Sequence, residues 1–348
     1  MSNSPETTVW TVRALRDWTA TFLTKKGFEF PRLEAELLLA FSMGISRVEL
    51  FIRFDDVPTD EVRARYRELV RRRGLGEPVA YLIGNKEFYS LDFTVGPGAL
   101  VPRPETEQLV LEAVEYAKKR SNLFRANRNK SEIEAEKAES AETSESGESA
   151  EASEKPEASA SATSGTESGA SRVDWRICDM GCGSGCIAVA LAKNVPDSRI
   201  VAADASPEAL KYALKNAVKH GVDDRIKLVK SDLFAEFPSG LPESSLFDMI
   251  VSNPPYVSES EYETLEPTVK NFEPRIALVG GPTGAELPIK MMSEAPSWLK
   301  RGGRIFVELS PTTVRAVASA AEADSRWSEV KIARDFANLE RFLFAVRA

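Results

Sequence analysis

Eighteen residues, Trp175 to Ala192, leave this chain little freedom in how it folds. Trp175-Arg176-Ile177-Cys178-Asp179-Met180 reads as a strand, and it runs directly into Gly181-Cys182-Gly183-Ser184-Gly185. Cys186-Ile187-Ala188-Val189-Ala190-Leu191-Ala192 then has the apolar content of a buried helix. A strand, a glycine turn and a helix in that order open a parallel βαβ unit. The glycines let a ligand approach the backbone at a helix N-terminus, where free N–H groups and the helix dipole meet it. The next apolar run, Arg199 to Ala203, ends in Asp204, nineteen residues beyond Gly185. An acid at that place accepts hydrogen bonds from ribose hydroxyls. The loop is GxGxG, not the GxGxxG shared by nicotinamide enzymes, and Asp179 puts a carboxylate where a cationic or amino-bearing cofactor wants one.

Two further strands bring chemistry to the same sheet edge. Ile226-Lys227-Leu228-Val229 leads to Ser231-Asp232-Leu233-Phe234, where an acid beside apolar side chains can bond an adenine amino group and pack on its ring. Phe247-Asp248-Met249-Ile250-Val251 delivers Asn253-Pro254-Pro255-Tyr256. Asn offers an acceptor and two donors, the paired prolines stiffen the backbone and remove two N–H groups, and Tyr adds a flat ring. Such a site can accept both hydrogens of a planar NH2 group, through the Asn253 oxygen and the Pro254 carbonyl. Asn-Pro after a strand is also an ordinary turn. Together, the four strand ends point to S-adenosylmethionine and methyl transfer to a planar nitrogen. The expected catalytic and substrate contacts are Asn253, Pro254, Pro255 and Tyr256. The expected cofactor contacts are Asp179, Gly181, Cys182, Gly183, Ser184, Gly185, Asp204, Asp232, Leu233 and Asn253.

Composition excludes several other chemistries. The chain has 348 residues and a single histidine, His220, so Ser-His-Asp and Cys-His mechanisms lack their base. Cys178, Cys182 and Cys186 fall within nine residues, which suits neither a disulfide framework nor a zinc pattern, and no metal is expected. No apolar run reaches the roughly 18–20 residues of a membrane span. The first residues lack the basic and apolar regions of a signal peptide, so the cytosol is the expected location. The net charge of −8 is concentrated: residues 121–171 hold eleven Glu against five Lys and Arg, leaving about −2 for the remainder. That stretch is rich in Glu, Ala and Ser and has few aliphatic residues, so it reads as a disordered, solvated insertion. A nearly neutral remainder argues against a protein built to grip a DNA backbone.

Residues 8–84 read as helical throughout. Trp10, Ala14, Trp18 and Phe22 recur at i+4 and Gly27 supplies a stop. Pro31 opens a helix that ends near Gly44, a short helix runs from Ser46 through Phe51, and Thr59 starts one ending at Arg71-Arg72-Arg73-Gly74. Its arginine-dense face reads as a solvated surface with cations favoured at the helix C-terminus, or as a dock for an acidic partner. Residues 85–100, with Phe88, Leu91, Phe93, Val95 and Gly96-Pro97-Gly98, suggest a β-hairpin bridge. Val101-Pro102-Arg103-Pro104-Glu105-Thr106-Glu107 then enters a helix capped by Glu105 or Thr106. Arg103 and Glu105 can face a ligand there, or serve as capping and salt-bridge residues.

These motifs resemble the glutamine amide methyltransferases that modify peptide-chain release factors. The likeness includes the helical N-terminal part, Gly76 to Gly84, Val101 to Glu107, the glycine loop, Asn253 to Tyr256, Phe272 to Leu278 and a late strand from Gly303 to Glu308. It implies an α/β class I S-adenosylmethionine-dependent methyltransferase fold. That fold is a Rossmann-like seven-stranded sheet with an antiparallel final hairpin, carrying a small all-helical N-terminal domain that engages the release factor. The implied division is residues 1–84 for docking, 85–100 for the hairpin linker and 101–348 for the methyltransferase domain, interrupted at 121–171. The implied substrate is the glutamine of the release factor's Gly-Gly-Gln loop. Three features depart from the family's pattern: Ser310 after Glu308-Leu309, Asn338 at a usual glycine, and the acidic insertion. Two enzymatic alternatives stand: a glutamine methyltransferase of a ribosomal protein, and an adenine-amino DNA methyltransferase, which would need a base-flipping, basic DNA-reading module. A catalytically silent binding protein is the third.

Overall fold

The computed structural model describes residues 9–123 and 174–348. Five helices come first: α1 (Val12–Lys25), α2 (Pro31–Met43), α3 (Arg47–Ile52), α4 (Asp60–Arg73) and α5 (Val79–Ile83). Their starts are written locally. Thr11 and Thr59 accept from the N–H groups of Ala14 and Val62, Ser46 and Glu49 form a reciprocal capping box, and Pro31 holds the first position of α2. Gly44 and Gly84 end α2 and α5 in the left-handed region, at φ 67° and 72°. The helices close around Val12, Leu38, Leu39, Leu50, Tyr66 and Val70.

The fold splits the arginine triplet. Arg71 is exposed and pairs with Glu68. Arg73 is buried, forks onto both oxygens of Glu34 at 2.8 Å and lies 3.7 Å from the centre of the Phe28 ring. Its Nη1 also donates to the Glu77 carbonyl and, at 3.4 Å, to the Thr268 hydroxyl. The last arginine of an expected solvated or docking face is therefore a structural tie between the helical bundle and the C-terminal part of the chain.

β1 (Asn85–Phe88) and β2 (Leu91–Thr94) form the expected hairpin. Its turn is Tyr89-Ser90, both at positive φ, while Gly96-Pro97-Gly98 follows the second strand. Phe88 and Phe93 are fully buried in the main core. Helix α6 covers 104–123 and buries Leu109, Val110, Ala113, Val114 and Ala117. It continues past the expected start of the insertion at 121, and the Trp175 indole N–H donates to Ser121 Oγ at 2.9 Å. The rest of that segment, and the disorder expected of it, lies outside the described residues.

The remaining strands are β3 (Trp175–Met180), β4 (Ser198–Asp204), β5 (Ile226–Lys230), β6 (Phe247–Ser252), β7 (Val257–Ser258), β8 (Val279–Gly281), β9 (Leu299–Glu308), β10 (Trp327–Arg334) and β11 (Glu340–Arg347). Seven of them form one sheet in the order β10-β11-β9-β6-β3-β4-β5. β3 pairs in parallel with β4 on one side and β6 on the other, and β11 alone runs antiparallel, against both β9 and β10. Strand order reverses at β3, so the crevice beyond the carboxyl ends of β3, β4 and β6 is where ligands bind in such sheets. This is the architecture expected from the resemblance. Helices α7 (Cys186–Asn194) and α8 (Pro207–Lys219) follow β3 and β4. The two local departures are accommodated. Ser310 accepts from the Thr313 N–H ahead of the helix Val314–Glu322, and Asn338 sits at φ 65°, a conformation Asn tolerates better than most side chains.

Candidate active site

A cavity of about 400 Å³ opens at that crevice. The glycine loop forms one wall, held by the N–H groups of Gly181 and Cys182, which donate to the Ala203 carbonyl at 2.8 and 2.9 Å. Gly181, Gly183 and Gly185 have φ of 72°, 54° and 78°, where a side chain is strained. Two of them differ in what surrounds them. A Cβ on Gly183 would meet nothing within 4 Å, whereas a Cβ on Gly185 would press on Ala213 of α8 at 3.0 Å. Gly185 is thus a packing residue and lies outside the cavity lining, while Gly181, Cys182, Gly183 and Ser184 line it.

The acids divide in the same way. Asp204 lines the cavity; its Oδ2 accepts from the Gly183 N–H and its Oδ1 from the Ser206 N–H, each at 2.8 Å. Burial pushes its pKa up, and those two N–H groups pull it back. Asp232 and Leu233 also line the cavity. The Asp232 carboxylate is largely exposed, with Lys290 Nζ 3.8 Å away, and Leu233 is held at φ 51° while its carbonyl accepts from Ser231 Oγ at 2.5 Å. A left-handed leucine costs on the order of 1–3 kcal/mol, and such strain concentrates at ligand sites. Asp179 is a correction. It is completely buried beneath the loop, absent from the lining, with Oδ2 accepting from the Ala188 N–H at 2.9 Å and Oδ1 without a hydrogen-bond partner. Burial pushes it up to about 7.

The tetrapeptide after β6 also lines the cavity, beside the glycine loop, through Asn253, Pro254 and Pro255. Ser252 Oγ donates to the Met180 carbonyl at 2.6 Å and clamps this strand end to the glycine loop. Asn253 Nδ2 donates to Thr106 Oγ1 at 3.0 Å, which leaves Oδ1 as the amide's unused acceptor. Tyr256 does not line the cavity. It packs into the core, and its hydroxyl donates to Glu308 Oε1 at 3.3 Å. The backbone of the tetrapeptide rests on two glycines: a Cβ on Gly280 would collide with the Pro255 carbonyl, and one on Gly284 with the Tyr256 carbonyl.

Arg103 lines the cavity and pairs with Glu273 at 2.6 Å; the buried Glu273 also accepts from the Val101 N–H at 3.1 Å. Glu105 is exposed and outside the lining. Neither Glu105 nor Thr106 caps α6, because the helix already begins at 104. Thr106 is buried and reaches Asn253 instead. Thr106, Glu308, Gly280 and Gly284 are site residues that sequence reasoning missed, as is Asn216 of α8. That fully buried amide accepts from the Thr94 N–H at 2.7 Å and donates to the carbonyls of Thr94 and Ser184 at 2.9 and 2.8 Å, joining hairpin to glycine loop. Only the glycines had a readable signal, their clustering in Gly280-Gly281-Pro282-Thr283-Gly284.

Comparison with known proteins adds an independent line. A model of the PrmC N-terminal domain matches residues 14–84, and one of the methyltransferase small domain matches residues 168–272. The release factor glutamine methyltransferase of Rhodopirellula baltica is 39% identical over 348 residues, 100% of both chains. That of Geobacter sulfurreducens is 37% identical over 89% of this chain and 87% of its own. That of Mycolicibacterium smegmatis is 32% identical over 96% of each.

Proposed function

Because the chain belongs to the release factor glutamine methyltransferase family, we propose that it methylates the side-chain amide nitrogen of the glutamine in the Gly-Gly-Gln loop of peptide-chain release factors, using S-adenosylmethionine. The observation that carries this reading is the orientation of Asn253: with Nδ2 held by Thr106, the amide offers an acceptor at the cavity wall, which suits a substrate NH2 group. Other residues of the lining fit the cofactor. Gly183 leaves open space over a helix N-terminus, and Asp204 and Asp232 set carboxylates where ribose hydroxyls and an adenine amino group require acceptors. When bound, S-adenosylmethionine supplies an electrophilic methyl group.

An amide nitrogen is a weak nucleophile because its lone pair is delocalised into the carbonyl. Asn253 Oδ1 and the Pro254 carbonyl accept its two hydrogens, fix its plane and raise electron density on nitrogen. The prolines hold both acceptors rigid. Positioning of this kind is worth several powers of ten in rate. Arg103, paired with Glu273, lines the cavity, and the helical domain is the surface on which the release factor docks. Among the described residues no helix is long and apolar enough to cross a membrane.

The test is to incubate the protein with methyl-labelled S-adenosylmethionine and, separately, a release factor, ribosomal proteins and DNA. Label is expected on the release factor's Gly-Gly-Gln glutamine alone. Label on a ribosomal protein or on adenine, with none on the release factor, would overturn the assignment.

A further inference from the structure

A cavity of about 400 Å³ that must also take the cofactor has room for little more of a protein substrate than one side chain. The rest of the substrate stays outside and rests on the rim. Cofactor contacts come from the ends of β3, β4 and β5, through the glycine loop, Asp204 and Asp232. Asn253 follows β6, and from there the sheet continues away from the cofactor through β9 and β11. β9 runs parallel to β6, and Phe342 of β11 stands opposite Glu308 at the carboxyl end of β9. The turn between β10 and β11, residues 335–339, therefore lies on the same sheet edge as Asn253, on the side the cofactor leaves open.

Hydrogen bonds close this turn from within and from outside. The Asp335 N–H donates to the Leu339 carbonyl at 2.9 Å, and the Asn338 N–H donates to the Asp335 carbonyl at 2.8 Å. Asn338, at φ 65°, completes a three-residue hairpin loop, and its carbonyl accepts from Arg334 Nη1 at 2.7 Å. The Asp335 carboxylate accepts from the Leu339 N–H at 2.9 Å and from Arg341 Nε at 2.7 Å. Gln108 of α6 clamps the turn: Nε2 donates to the Arg334 carbonyl at 3.0 Å, and Oε1 accepts from the Phe336 N–H at 3.1 Å. Gln108 lies two residues beyond Thr106, which holds Asn253. One turn of α6 thus fixes both the asparagine and this loop. The Phe336 ring is left out of all this packing. It is 86% exposed and belongs to no apolar cluster among the described residues.

We propose that Phe336 is a docking anchor for the protein substrate, seating in an apolar hollow on the release-factor domain that carries the Gly-Gly-Gln loop. The inference rests on the functional reading above. A lone exposed apolar side chain is ordinary; this one is set apart by its rigid mount and by its place on the acceptor's side of the cavity. A loop already ordered gives up little entropy on binding, and an aromatic ring buries a large apolar area at the cost of two torsions. Anchors of this kind carry a disproportionate share of an interface's affinity. The ring faces neither the cofactor nor the reacting atoms, so it binds ground state and transition state alike. Its loss therefore raises KM and spares kcat.

The experiment uses the full-length enzyme with S-adenosylmethionine and a release factor. Phe336→Ser is expected to raise KM for the release factor about 10- to 100-fold. Its kcat at saturation should stay within about threefold of wild type, and its cofactor Kd, read by calorimetry, within about twofold. Phe336→Leu, which keeps an apolar anchor, should fall between the two. Leu214→Ser, which removes an exposed apolar side chain from α8 on the cofactor's side, should leave KM unchanged. Sedimentation without the release factor should show the same species for wild type and Phe336→Ser. Wild-type KM in Phe336→Ser, an equal rise in Leu214→Ser, or a loss confined to kcat would overturn the anchor. Self-association of the wild type that Phe336→Ser abolishes would assign the ring to a second copy of the chain and overturn it too. Failure of the wild type to label the release factor would instead overturn the functional reading.

Discussion

Asn253 and Asp179 show how differently two polar residues of one crevice can work. Asn253→Ala removes the acceptor but leaves the glycine loop and Asp204 untouched, so turnover should fall by at least about 100-fold while the cofactor Kd, measured calorimetrically, stays near wild type. Unchanged turnover would remove Asn253 from the chemistry. Asp179 is buried without a full set of partners, and its pKa is raised to about 7, burial first, with Asp204 adding to the rise and the Ala188 N–H opposing it. The sign follows from linkage: a carboxyl whose folded value lies above its ordinary 3.8 favours the fold when protonated. That contribution is present at low pH and is lost as the pH rises through about 7. Asp179→Asn should therefore raise the melting temperature of the cofactor-free protein at pH 8 and shrink its fall between pH 5 and 8. The part due to Glu308, which burial also pushes up to about 7, would remain. A variant that melts lower than wild type at pH 8 would show that the carboxylate is stabilising. Asp179 was visible in the sequence only as an acid before a glycine loop. Its burial depends on β4, β6 and α7 closing around it, which no local pattern records.

At the scale of elements, the strands and helices were legible because their signals are local: apolar runs of four to six residues, glycine and proline stops, and Thr or Ser caps. The side-chain bonds that aim the site were not. Asn253 and Thr106 are 147 positions apart and Tyr256 and Glu308 are 52 apart, so neither pairing leaves a trace in spacing. The prolines around Arg103 suggested a helix capped by Glu105 or Thr106, yet the helix begins earlier, at 104, and carries Thr106 inward on its first turn. The hairpin was legible, but its turn carries no local signal. Tyr89 and Ser90 adopt positive φ under the pull of strand pairing and of Glu107, which accepts from the Tyr89 N–H at 3.0 Å, although neither residue favours that conformation. Asn216 links three elements, and Asn216→Ala strands buried groups of Thr94 and Ser184. Roughly 3 kcal/mol should be lost by urea unfolding, together with cofactor affinity. The neighbouring exposed Leu214→Ala should stay within about 0.5 kcal/mol. Equal losses would mean that α8, not the amide, carries the effect.

For the whole molecule, the two parts are tied by few but specific contacts, Arg73 to Thr268 and the hairpin to α8 among them. The chain leaves the described structure at 123 and re-enters at 174, and the Ser121–Trp175 bond brings those ends together. Replacing residues 124–173 with a linker of about ten Gly and Ser residues should leave turnover unchanged. Stability should rise by about 1 kcal/mol from the shorter loop closure. A large drop in turnover would show that the segment contributes to the site.

That meeting of Ser121 and Trp175 also defines where the polypeptide can be divided. A cut between them severs no bond among the described residues and leaves an N-terminal piece displaying the apolar face of α6, with Leu109, Val110, Ala113, Val114 and Ala117, for the sheet of the C-terminal piece to cover. Thr106 would then arrive on one polypeptide and Asn253 on the other. Methyl transfer would become a property of reassembly, rising with the concentration of both halves, and each half fused to a different protein would report whether its two carriers meet.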